Sequence, residues 1–153
     1  MKWLTLIWIL LSGAGMANET KHVAEILDRL HKSAADADGE TYFSLFDEDG
    51  VFIGTDAKET WTIKEFRAYA EPFFKKGRGW VYTPKKRHIY FSPAKTVAWF
   101  DEILDSKSFG VSRRTGVLVK KSQIWKIAQY HLTIPIPNEL VKPVTDQIKN
   151  LSR

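Results

Sequence analysis

Two adjacent acids, Asp101 and Glu102, stand in the middle of an otherwise apolar run, Thr96-Val-Ala-Trp-Phe-Asp-Glu-Ile-Leu104. β-branched and aromatic residues of this kind suit a pleated, packed surface, so the run reads as a strand. Side chains alternate across a strand, which sends the two acids to opposite faces. Asp101 shares its face with Val97, Trp99 and Ile103, and Glu102 shares the other with Ala98, Phe100 and Leu104. With both faces apolar, one carboxylate is at least half buried, and a buried carboxylate needs a partner or a chemical task. Asp101 is the first candidate for a general base or ligand anchor. An aromatic wall such as Trp99 would desolvate its carboxyl and raise its pKa, which is how such groups are tuned for proton abstraction. The alternatives are a structural ion pair with Arg113 or Arg114, and Glu102 in the same role if the strand phase is the opposite one.

Other residues could join that chemistry. Arg113 lies in phase with Val111 and Thr115. A buried arginine is costly without a carboxylate, so Arg113 either holds an anionic ligand opposite Asp101 or closes an ion pair with it. Under strict alternation Trp125, Ile127, Gln129 and His131 share one face. The first two read as core, while Gln129 and His131 continue toward a cavity mouth, where polar groups orient ligands. His131 is either an acid or base near neutral pH or a satisfied core histidine. Tyr42, Trp61 and Trp99 are candidates for a pocket wall or for core. His22, His31 and His88 show no metal-ligand spacing, so no metal site is expected. No serine sits in a nucleophile-elbow context and no glycine-rich phosphate loop is present, so no cofactor is expected.

Composition narrows the field further. The chain has 153 residues, 44% of them hydrophobic, with 6 Trp, 5 Tyr and 9 Phe, enough for one packed domain. The absence of cysteine removes disulfides, zinc thiolate sites and thiol catalysis. The net charge of +5 is interspersed, and the Lys85-Lys86-Arg87 cluster is short. With no long basic stripe and no recognition motif, nucleic acid is not an expected partner.

The elements that would position these residues follow in order. Residues 1–17 resemble a secretory signal: Lys2, the apolar run Trp3–Leu11, then small residues with Gly15 and Ala17 before the cleavage point. The run is too short to span a membrane, so a secreted or periplasmic protein with no membrane attachment is expected after cleavage. Val23, Ile26, Leu27, Leu30 and Ala34 make the apolar stripe of a helix from about Thr20 to Ala37. A short helix over about 40–46, a turn at Asp47–Gly50 and a strand at Val51–Thr55 come next. Thr62-Ile-Lys-Glu65 is a capping box, and Trp61 and Phe66 are spaced as its hydrophobic staple. Four period-2 segments follow, about 80–91, 96–105, 110–119 and 124–134, with connections short enough to force antiparallel neighbours. Pro84 puts the first of them at an edge or a bulge. A last helix is expected from Asn138. Helices followed by a meander make an α+β layout, and a twisted sheet of long strands wraps around the helices to leave a cavity.

Several runs in this order resemble the SnoaL-like branch of the ketosteroid-isomerase-like, or nuclear transport factor two-like, superfamily. They are Tyr42-Phe-Ser-Leu-Phe46, Val51-Phe-Ile-Gly-Thr-Asp56, Glu59-Thr-Trp61, Ala98-Trp-Phe-Asp-Glu102, Thr115-Gly-Val-Leu118 and Trp125-Lys-Ile-Ala-Gln-Tyr-His131 with Ile134-Pro-Ile-Pro-Asn138. The resemblance covers about 20–138 and leaves 139–153 as a helical extension. It implies a cystatin-like cone, helices packed on a curved antiparallel sheet, a deep pocket and often a homodimer. Arg114 departs from the family pattern by adding a bulky charge before Thr115-Gly116. Three functions are compatible: an exported binder of a small, partly apolar ligand; a cofactor-free isomerase or lyase using Asp101 with His131 or Tyr42; and a dimerising interaction domain. Fold does not choose among them.

Overall fold

The structure is a computed structural model that describes the backbone of residues 4–151 and the side chains of 15–151. Helix α1 runs Leu4–Ala35, α2 Gly39–Ser44 and α3 Ile63–Phe74. The strands are β1 Phe46–Ile53, β2 Thr60–Thr62, β3 Thr83–Phe91, β4 Val97–Ser106, β5 Gly110–Lys121 and β6 Ile124–Thr133. A short 3-10 turn, Asn138–Leu140, leads into α4, Val141–Leu151. Residues 4–17 of the expected leader and the expected first helix share the one helix α1; residues 1–3 and the side chains of 1–14 lie outside the described residues.

The sheet has six strands in the order β2-β1-β6-β5-β4-β3. β3 to β6 form the antiparallel meander read from the sequence. The sheet is mixed rather than purely antiparallel, because β1 runs parallel to β6. That pairing is possible because the chain between them is long and crosses the sheet through α3 and the meander. The Asp47–Gly50 turn lies inside β1, at a register shift between Phe46 and Val51. There the Asp47 carboxylate accepts the Asp49 N–H at 3.1 Å and pairs with Lys121. Pro84 sits on an edge strand beside a second register shift, where its missing N–H breaks no ladder.

The helices close over one face of the sheet. Val23, Leu27, Leu30 and Ala34 of α1 pack with Ala98, Phe100, Leu118 and Ile127 from the strands. Helix α3 starts at the capping box: Glu65 N–H donates to Thr62 Oγ1 at 3.2 Å, and Thr62 N–H donates to Glu65 Oε2 at 2.9 Å. The staple is also formed, with the Trp61 and Phe66 rings 5.5 Å apart and 12° from parallel. Pro72 lies within α3, which ends two residues later. Two glycines permit close approach. A Cβ at Gly79 would come within 1.9 Å of the Ala34 carbonyl, the group to which Trp80 N–H donates. A Cβ at Gly116 would meet the Gln129 carbonyl at 2.4 Å and the Phe100 ring at 2.6 Å.

Candidate functional site

The helices and the inner sheet face enclose a cavity of about 170 Å³. One wall is a run of aromatic rings. Phe52 and Phe66 stack with centroids 3.7 Å apart, and Trp61 and Tyr69 extend the row at 5.5 and 5.1 Å. Tyr42 of α2 and Tyr130 of β6 close the inner end. The exposed lining residues Thr55, Tyr69 and Phe109 mark the mouth.

Two polar side chains reach this apolar space from within. His31 of α1 lines the cavity, and its Nε2 lies 2.8 Å from Glu102 Oε2. Glu102 is fully buried in β4, behind the histidine. Its other oxygen accepts from Arg87 Nε, the residue opposite it on β3. Arg87 continues to Asp28 at 2.8 Å and to the Ala24 carbonyl at 3.1 Å, which ties α1 to the sheet. Burial pushes the Glu102 carboxyl up, but the His31 hydrogen bond and the charges of His31 and Arg87 outweigh it. The net effect holds Glu102 below the ordinary glutamate value. The carboxylate is therefore ionised, so it accepts a proton-bearing Nε2, fixing the orientation of the ring.

Arg114 of β5 is the second. It is 2% exposed, lines the cavity, and lies with its guanidinium carbon 4.0 Å from the Tyr82 ring centre and 5.9 Å from that of Tyr130. Burial raises the Tyr130 hydroxyl pKa, with the Arg114 charge opposing, and burial raises that of Tyr42 well above the ordinary tyrosine value. Both phenols are neutral and available as hydrogen-bond donors.

The placement of the sequence candidates divides. Tyr42 and Trp61 line the cavity. Asp101 faces the opposite side of the sheet and pairs with His88 at 3.0 Å; Glu102 takes the inner face in its place. Trp99 accompanies Asp101 outward, 44% exposed and stacked on Tyr90 at 5.9 Å. The apolar pattern could not choose between the faces, because Trp99 and Tyr90 make the outer one apolar too. Arg113 is exposed and Arg114 turns inward, because Arg114 is the residue registered opposite Glu102. Gln129 and His131 also face outward. β6 carries an extra residue at Ala128, where the register passes from Leu118–Ile127 to Val117–Gln129. That bulge shifts the alternation by one, so Tyr130 takes the inner position after Ile127.

Four site residues were missed by sequence reasoning: His31, Arg87, Tyr82 and Tyr130. His31 had a readable signal. It follows Leu27 by four residues and so falls on the buried stripe of α1. Arg87 was concealed in a cluster that reads as a solvated edge, while Tyr82 and Tyr130 carried no separate mark.

The chain matches the SnoaL-like domain family over residues 23–137. No curated protein matches it in sequence. Among solved structures, a nuclear transport factor two-like protein of unknown function from Pseudomonas putida aligns with a TM-score of 0.64 at 13% identity, over 81% of this chain and 91% of its own. A protein of unknown function from Mycobacterium tuberculosis aligns with a TM-score of 0.67 at 17% identity, over 84% and 79% respectively. An uncharacterised protein with a cystatin-like fold from Caulobacter vibrioides aligns with a TM-score of 0.65 at 13% identity, over 82% and 95%. At these identities the structures attest the fold alone. The match over most of the chain makes this protein a member of the SnoaL-like domain family.

Proposed function

We propose that the protein is an exported binder of a small, partly apolar organic molecule held in the aromatic cavity. The observation that carries this reading is the cavity itself: about 170 Å³, walled by stacked rings, with His31 and Arg114 presented into it. Packed interiors leave few voids of this size, and an apolar pocket with a few convergent polar groups is the usual form of a ligand site. Export is supported by the leader pattern of residues 1–17. A cut after Ala17 would leave the packed part of α1 intact, including Glu19, which accepts from Trp125 Nε1 and Lys120 Nζ, each at 2.7 Å. N-terminal sequencing of secreted material should begin at Asn18.

A thermal-shift screen of the chain from Asn18 against single-ring and two-ring organic molecules tests the binding reading. A ligand at a hundred times its Kd adds about 2.7 kcal/mol of stability, or roughly 5–10 °C in Tm for a domain this size. Ala34→Leu, which fills the cavity from α1, should abolish the shift while keeping a cooperative transition. A shift that survives Ala34→Leu would place the ligand elsewhere.

The buried His31–Glu102 pair favours a second reading, cofactor-free proton transfer next to a carbonyl. Here the role first given to Asp101 passes to His31. His31 would take the proton, Glu102 would stabilise the resulting imidazolium, and Arg114 or Tyr130 would face the enolate oxygen. Exchange of α-protons in a bound ketone, followed by NMR, should fall by about 10²-fold or more in His31→Gln; equal exchange in the variant would leave only binding.

The Tyr90–Trp99 stack on the outer sheet face, with Val117 registered opposite Trp99, supports the further reading that two copies associate through that face.

A further inference from the structure

We propose, building on the reading of the cavity as a ligand site, that its ligand is a single-ring organic acid whose carboxylate docks on Arg114. Arg114 is buried, and its Nη1 has no hydrogen-bond partner. An arginine cannot lose its proton to escape this situation. A buried cation needs a compensating anion, and among the described residues no carboxylate comes within ion-pair distance of Arg114. Glu102 is registered opposite it, but both Glu102 oxygens are taken, one by His31 and one by Arg87. Arg87 also leaves one nitrogen, Nη2, without a partner, but its charge is met by both Glu102 and Asp28. Glu59, the carboxylate that lines the cavity, accepts the Asp56 N–H at 3.2 Å on the β1–β2 turn. What Arg114 does have is a hydrogen bond to the Tyr130 hydroxyl, the face of Tyr82 and, farther off, the face of Tyr130. These rings hold the guanidinium by cation–π attraction and leave Nη1 for an incoming oxygen.

Size completes the argument. A cavity of about 150 Å³ accepts one benzene ring, and this one, at about 170 Å³, has room for one ring with a small polar head. The ring would lie against Phe52, Trp61 and Phe66, and the head would meet Arg114.

The test compares benzoate, phenylacetate and cyclohexanecarboxylate with their neutral amides by calorimetry at pH 7, on the chain from Asn18. The acids should bind on the order of tenfold tighter than the amides, the worth of one charge-assisted hydrogen bond. Arg114→Met, which keeps length without charge, should erase the preference and bring the acid and amide affinities together; Arg114→Lys should retain part of it. If wild type binds amides as well as acids, the inference about the anion falls and the cavity remains a ligand site, and this comparison stands even if Arg114→Met fails to fold. If none of the six binds, the reading of the cavity as a site for single-ring ligands falls with it.

Discussion

Glu102 is the residue on which the interior depends most. It is fully buried and satisfied by one histidine and one arginine. Such a network adds little over a well-packed apolar core, yet removing one member strands the others. Glu102→Gln leaves the Arg87 charge short of its carboxylate, and urea unfolding should show a loss of about 3–5 kcal/mol. The network also sets a direction for acid sensitivity. The folded carboxyl lies below its ordinary value of 4.5. As pH falls, the unfolded chain therefore takes up this proton first. The stabilisation from Glu102 is complete above that ordinary value and is lost as pH falls through the lower folded value. The stability gap between wild type and Glu102→Gln should narrow over that acid window; a gap that is constant from pH 7 to pH 3 would contradict the ionised assignment.

Helix α3 shows what a local signal contributes to an element. Its start is fixed by two reciprocal hydrogen bonds and one ring pair, all within six residues of sequence. Thr62→Ala removes the side chain that accepts the Glu65 N–H and should cost about 1 kcal/mol, a fall of roughly 2–4 °C in Tm. Thr62→Ser should restore most of it. Equal stability of the Ala and Ser variants would mean that packing of Trp61 and Phe66 alone sets the helix start. β6 shows the opposite case. Its extra residue at Ala128 is dictated by the strands on either side, and it decides that Tyr130, rather than Gln129, faces the helices.

For the whole molecule, the outer sheet face bears on how many copies associate. Tyr90 and Trp99 are each nearly half exposed, and they lie in one cross-strand row with Val117 and Gln129. Exposed aromatic patches of this kind mark interaction surfaces. Sedimentation of the wild type at micromolar concentration should give a dimer, and Trp99→Lys should give a monomer with an unchanged far-UV spectrum. A monomeric wild type would remove the self-association reading without touching the cavity, which is formed within one chain.

The sequence by itself determined the elements that rest on neighbouring residues. The stripe on α1, the cap and staple of α3 and the period-2 meander were all legible, because each is a pattern over a few residues. Tyr42 and Trp61 were legible as packed aromatics for the same reason, since both belong to apolar segments, but the pattern left open whether they form core or cavity wall. Which acid and which arginine turn inward was not. Both faces of β4 are apolar, so the pattern carries a period without a phase. The parallel pairing of β1 with β6 and the bulge at Ala128 were hidden as well, since each depends on a partner strand far away in sequence. His31 and Glu102 lie 71 residues apart and meet only when α1 is laid across the sheet. The tertiary structure decided the site because burial and hydrogen bonding act between surfaces, and the surfaces exist only after the chain has closed over them.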